Sequence, residues 1–216
     1  MQESTSKEKV LKKIRNALVN KAVDAVPKDV DFDSPIYNLP DQPLEITFAE
    51  RFTELTGKFI FCENEEELVA ILKEVVAENK YEHIGCFEEQ IQQYLQKAGL
   101  SFYPDSNDIL KIKTSITACE FLVARTGSVV ISSRQKTGRQ LHIYPDTHIV
   151  IAKLSQLVPD IKDALQGIKE RYEDKIPSFI SFITGPSRTA DIEKTLIIGA
   201  HGPKEIYVFL VDDSAI

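Results

Sequence analysis

The chain has 216 residues, 43% of them hydrophobic and 27% charged, with a formal net charge of −7. This length suits one large domain, or one domain with an added segment, and no apolar run approaches the length of a membrane span. An acidic balance argues against nucleic acid as the main partner, because phosphate binding needs a basic field. The first residues, Met-Gln-Glu-Ser-Thr-Ser-Lys-Glu-Lys, lack a signal-peptide hydrophobic region, so the expected location is the cytoplasm.

Val10, Leu11, Ile14, Leu18 and Val19 form the apolar stripe of an amphipathic N-terminal helix. Pro27, Pro35, Pro40 and Pro43 then lie among acidic residues, a composition that favours an extended connector. Helix and arm, residues 1–46, are expected to lie outside the core of an α/β domain at 47–216. They either pack on their own domain or reach a second subunit and support a homo-oligomer. Thr47 and Glu50 have capping-box spacing, and Gly57 stands where a helix ends.

From residue 58 the pattern alternates: strand 58–62, helix 64–79, strand 82–86, helix 88–98, strand 100–103. Asn64, with Glu67 three residues on, opens the first of these helices, and Leu68, Ile71, Leu72 and Val75 form its buried face. This order predicts right-handed crossovers and a mostly parallel sheet with helices on both faces. Residues 114–133 are rich in β-branched residues and predict strands paired or bent around Gly127. Further strands are expected at 147–152, 178–184 and 206–211, with a helix at 159–172.

The segment after residue 182 predicts a strand, a small polar loop and a helix N-terminus starting near Thr189. Unpaired N–H groups at such a start favour an anion. Within that loop Thr184, Gly185, Pro186, Ser187, Arg188 and Thr189 are candidate ligand-binding residues, Arg188 as a two-pronged carboxylate or phosphate holder. The bland alternative pairs Arg188 with Asp191 or Glu193 on the surface. His201 and Glu193 are the candidates for proton transfer, and His201 is equally readable as a turn histidine bonded to backbone. His148 opens an apolar strand and reads as structural. Neither it nor Asp146, His142 and His201 have metal-ligand spacing, so no metal is expected. Arg134, Lys136 and Arg139 form a basic loop that either meets an anion or is solvated. Cys62, Cys86 and Cys119 are widely spaced and read as buried small hydrophobes rather than cluster ligands.

Ala124-Arg-Thr-Gly-Ser-Val-Val-Ile131, Tyr144-Pro-Asp-Thr-His-Ile-Val150, Ile183-Thr-Gly-Pro-Ser-Arg-Thr-Ala-Asp-Ile-Glu193 and Gly199-Ala-His-Gly-Pro203 resemble the lactate-utilization (LUD) domain family, LutC/YkgG branch. The resemblance covers roughly residues 50 to 211. It implies a fold of the NagB/RpiA/CoA-transferase type and a role beside iron–sulfur and oxidoreductase subunits that oxidise L-lactate. Iron–sulfur is then expected only in partner subunits, with no cofactor on this chain. Where the family commonly carries an acid, this chain has Arg125, followed by Gly127 and Ser128; these three join the candidate anion site. Glu120 lies five residues from Arg125, which in one extended strand puts it on the opposite face. Two functions follow: a non-redox accessory subunit binding a small anionic or phosphorylated ligand at the 184–189 loop, or a CoA-transferase-like or sugar-phosphate isomerase-like enzyme holding its substrate with Arg188 and Arg125.

Overall fold

The computed structural model describes residues 6–19, 41–192, 195–199 and 201–214. The chain divides into two units, Met1–Asn38 and Leu39–Ile216. In the first, the N-terminal stripe forms helix α1 (Ser6–Val19). The expected proline-rich arm falls mostly outside the described residues.

The second unit opens with α2 (Leu44–Glu54), four residues earlier than a capping box with Thr47 as N-cap predicts. Pro43 is the N-cap, its fixed φ suiting a helix start. Thr47 is instead buried in the second turn, its hydroxyl donating to the Pro43 carbonyl at 3.3 Å. At the other end Thr56, not Gly57, takes the left-handed conformation, with φ of 66°. Thr56 N–H donates to Thr53 O at 2.8 Å and Gly57 N–H to Phe52 O at 2.9 Å, the paired bonds of a Schellman ending. Gly57 is required for space, since a Cβ there would stand 2.4 Å from the Phe52 ring.

Next come β1 (Lys58–Cys62), α3 (Glu65–Glu78), β2 (Ile84–Gly85), α4 (Glu89–Lys97), β3 (Phe102–Tyr103), β4 (Thr114–Thr117), β5 (Phe121–Val123), β6 (Ser128–Ser132) and β7 (Thr147–Lys153). They are followed by β8 (Leu157–Val158), α5 (Ile161–Tyr172), β9 (Ile180–Ile183), β10 (Arg188–Ile192), β11 (Thr195–Ile198) and β12 (Glu205–Val211). Asn64 caps α3 as expected, its side chain accepting from Glu67 N–H at 2.9 Å.

The central sheet has the order β1-β12-β7-β4-β2-β3, and every pairing in it is parallel. The predicted α/β class with a mostly parallel sheet therefore holds. Alternation along the strands sorts side chains to two faces. Ile149, Ile151, Tyr207 and Phe209 meet α3 and α4 through Leu68, Leu72 and Leu95. Val150, Ala152, Val208 and Leu210 meet Phe48 and Phe52 of α2, with Leu122, Val129 and Ile131 from a second sheet.

The strand expected at 178–184 forms, but it joins that second sheet, β8-β5-β6-β9, and not the parallel one. β9 runs antiparallel to β6, with Val130 opposite Phe182. The outer face of this sheet, Phe121, Val123 and Val130, packs on Ala164 and Ile168 of α5. The turn between β5 and β6 uses Gly127 at φ 57°. A Cβ there would lie 2.7 Å from Phe52 N and 2.8 Å from Arg51 C, so α2 rests directly on this glycine. Both clashes are with backbone, which no rotamer change relieves. Gly127→Ala is expected to destabilise the domain by about 2 kcal/mol or more in urea unfolding. Gly99→Ala is the control: its φ of 70° is similar but nothing lies within 4 Å, so about 1 kcal/mol is expected. Equal losses at the two positions would show that the contact with α2 adds nothing.

A cavity under the signature loop

The sequence expectation of a helix after Thr189 is wrong. Residues 188–198 form an antiparallel ribbon, β10 with β11, with Arg188 opposite Ile198 and Thr189 opposite Ile197. Thr189, Ile192, Thr195, Ile197 and Ile198 are β-branched and favour a pleated backbone, which outweighs the helix-start signal of Asp191. An anion held by a helix N-terminus is therefore not available here. Glu193 and the side chain of Thr189 lie outside what is described.

The loop itself is firmly held. Ser187 N–H donates to Pro203 O and Gly199 N–H to Ser187 O, each at 2.9 Å, which clamps the base of the ribbon to the turn before β12. Gly202 passes so close that a Cβ on it would be 3.0 Å from Ser187 Cβ. Gly185, at φ 87°, faces the C-terminal end of α2, where a Cβ would meet Leu55 O at 2.9 Å.

Between this loop and the second sheet lies a cavity of about 180 Å³, lined by Gly185, Ser187, His201, Ser181, Arg139 and His142 among others. The structure thus brings three predicted residues, Gly185, Ser187 and His201, to one space. Arg139, from the basic loop, is exposed, with its guanidinium carbon 4.7 Å from the centre of the Phe179 ring. This contact orients a cation at the cavity. Ser181 and Phe179 carried no signal in the sequence.

His142 is the buried wall of the cavity and leads inward. Thr117 donates its hydroxyl proton to Ala118 O at 3.0 Å, so its oxygen accepts from His148 Nε2 at 2.9 Å. His148 is therefore assigned the Nε2–H form. His142 Nδ1 lies 3.5 Å from that nitrogen, and His142 Nε2 lies 3.0 Å from Thr137 Oγ1. Burial pushes the His142 ring down to about 4 and His148 well below the ordinary histidine range, the latter also through its neighbour. Both rings are neutral at pH 7. His148 is fully buried on the apolar strand, bonded to Thr117 through Nε2, with its Nδ1 buried and without a hydrogen bond among the described residues.

The remaining candidates sit elsewhere. Arg188 Nη2 donates to Leu55 O at 2.6 Å and Thr56 Oγ1 at 3.0 Å, placing a cation on the C-terminus of α2, where the helix dipole favours it. Arg125 pairs with Asp160, the N-cap of α5, at 2.8 Å. That pairing holds the Asp160 carboxyl below its ordinary range. Ser128 is buried and shares a hydroxyl contact of 2.8 Å with Thr184. Arg125, Gly127, Ser128, Thr184, Pro186 and Arg188 are not among the residues lining the cavity.

Glu120 also differs from expectation. β5 ends at Val123 and residues Ala124–Thr126 form a 3₁₀ turn, so strand parity does not relate Glu120 to Arg125. Glu120 is buried and accepts from Ser132 Oγ at 2.5 Å, Tyr172 OH at 2.8 Å and Arg171 Nη1 at 2.6 Å. The cysteines are buried and free, and burial raises the Cys62 and Cys86 thiols to about 12 and Cys119 further. No group of three His, Cys, Asp or Glu suited to a metal occurs among the described residues. No helix among them is long and apolar enough to cross a membrane.

The family model of the LUD domain matches residues 46–211. Lactate utilization protein C of Geobacillus thermodenitrificans (strain NG80-2) is 43% identical over 100 residues, 45% of this chain and 42% of that protein. The protein of that name from Bacillus subtilis (strain 168) is 39% identical over 100 residues, with the same shares. The matched stretch spans about two fifths of the length of these curated relatives. A crystal structure of a DUF162 family protein from Deinococcus radiodurans superposes with a TM-score of 0.59 at 17% identity, over 78% of this chain and 96% of that one. At that identity the likeness speaks for the fold alone.

Proposed function

The chain belongs to the LUD domain family, and from that premise we propose that it serves lactate utilization as a non-redox accessory component binding a small anionic or phosphorylated ligand. The observation that carries the reading is the convergence of Arg139, Ser187, Ser181 and His201 on one cavity beneath the signature loop. Arg139 supplies the cation and the hydroxyls supply hydrogen bonds that fix orientation. The cavity is small, about 180 Å³, which suits a ligand of few heavy atoms. Buried, protonated and dispersed thiols support the non-redox part, since thiolates are what metal clusters and electron-transfer disulfides use. Electrons would then pass through iron–sulfur and oxidoreductase partner subunits. The enzyme alternative is weakened, because the arginines it needs for the substrate, Arg188 and Arg125, are engaged with α2 and Asp160.

Thermal-shift measurements with L-lactate, pyruvate, glucose 6-phosphate and a CoA ester test this. One of these at about 100 times its dissociation constant should add about 2.7 kcal/mol, a rise of roughly 5–10 °C. Arg139→Ala should lose most of that rise, and Arg188→Ala should retain it from a lower starting point. No stabilisation by any of these anions, or an equal response in Arg139→Ala, would remove the site.

A further inference from the structure

The carboxyl ends of the central strands open a second cavity, of about 310 Å³, which shares no lining residue with the first. Lys153 ends β7, Val211 ends β12, and Ala118 follows β4, so the cavity sits at the sheet edge where open α/β sheets take ligands. Its floor is aliphatic, made by Ile91, Ile151 and Val211.

Two cations face it. Arg171 is fixed from behind: one nitrogen is bound to buried Glu120 at 2.6 Å, and the guanidinium carbon stands 4.7 Å from the Phe121 ring centre. Its side chain is nonetheless 42% exposed, so part of the fork is turned to the opening. Lys153 lines the same mouth, and Gln156 fixes its main chain there. The Gln156 side-chain carbonyl accepts from the Lys153 backbone N–H at 2.8 Å, and its side-chain amide donates to Cys119 O at 2.7 Å and Glu120 O at 3.2 Å. The Lys153 ammonium itself has no hydrogen bond or ion pair among the described residues.

Acids complete the lining. Glu65 accepts from Tyr94 OH at 2.6 Å on one wall, and Asp212 and Asp213 stand at the rim. Lys153 and Arg171 are thus set against Glu65, Asp212 and Asp213, with Glu120 behind them. With two cations set against more carboxylates the lining is net acidic, so it repels a free anion such as phosphate and favours a zwitterion, whose ammonium group meets the carboxylates while its carboxylate meets the cations. We propose that this cavity binds a zwitterionic 2-amino acid with a branched aliphatic side chain, such as leucine. Lys153 and Arg171 hold the carboxylate, Glu65 accepts from the ammonium group, and Ile91, Ile151 and Val211 cover the aliphatic side chain.

The test is calorimetric or ligand-observed NMR titration of the full chain with 2-hydroxyisocaproate, leucine, isocaproate and inorganic phosphate. Leucine should bind about tenfold or more tightly than either 2-hydroxyisocaproate or isocaproate, with phosphate weakest. Lys153→Met should weaken leucine binding by about tenfold or more. Glu65→Gln should narrow its advantage over isocaproate, and Arg139→Ala, at the other cavity, should leave it unchanged. Binding of isocaproate or 2-hydroxyisocaproate as tight as that of leucine, tighter binding of phosphate, an unaltered Lys153→Met, loss in Arg139→Ala, or no binding by any probe at about 10 mM overturns the proposal.

Discussion

Replacing Arg171 by methionine is expected to destabilise the domain by about 3 kcal/mol, because it leaves the Glu120 carboxylate buried without its counter-charge. Glu120 is 2% exposed, and Arg171 is the cation bonded to it. Ser132 and Tyr172 still donate to it, which keeps the expected loss at the lower end of what breaking a buried pair costs. The double variant Glu120→Gln/Arg171→Met removes the charge together with its partner, so it should be more stable than Arg171→Met alone. Urea unfolding of wild type, both single variants and the double variant measures this. An Arg171→Met loss under about 1 kcal/mol, or a double variant less stable than Arg171→Met, would show that solvent already screens the pair.

That ion pair marks the boundary of what the sequence could reveal. Local signals were reliable where one side chain acts on its own neighbourhood: Asn64 caps α3, Gly127 turns the chain between β5 and β6, and the alternation from residue 58 announces a parallel sheet. Sheet membership was not legible for β9, because the apolar run at 180–183 would suit either sheet and only its pairing with β6 decides. The ribbon at 188–198 was missed because acids near its start imitate a helix first turn while its β-branched residues act over the whole segment. For the candidate site, Gly185, Ser187 and His201 were found from the loop chemistry. The cation was only partly legible: Arg139 was named in a basic loop that could meet an anion, but it reaches the cavity by stacking on Phe179, forty residues away, while Arg188 is drawn off by a helix end 132 residues earlier. Glu120 was set aside by a parity argument that fails once the chain leaves the strand at Ala124.

The buried histidine pair should make the domain lose stability in mild acid, before carboxylates of ordinary strength begin to titrate. His142 has a folded value of about 4 against about 6.5 for an unfolded histidine, so between these values the unfolded chain binds more protons. Stability therefore rises with pH through this window and falls as the pH drops from 6.5 toward 4. His142 alone should account for about 2 kcal/mol between pH 7 and pH 5. His148 acts in the same direction, as it is fully buried and accepting a proton would place a second charge beside His142. Glu88 opposes them, since burial raises its carboxyl and makes the folded state hold its proton. Comparing wild type with the double variant His142→Gln/His148→Gln cancels that contribution. The difference between their unfolding free energies should shrink by about 2 kcal/mol or more on going from pH 7 to pH 5. Parallel curves would mean that the rings take up protons in the folded state, which the hydroxyl partners Thr117 and Thr137 and the apolar surroundings do not favour. A neutral His142 at the cavity wall also keeps that wall uncharged between pH 7 and pH 5, so a change in ligand affinity there over this interval should not come from the buried pair.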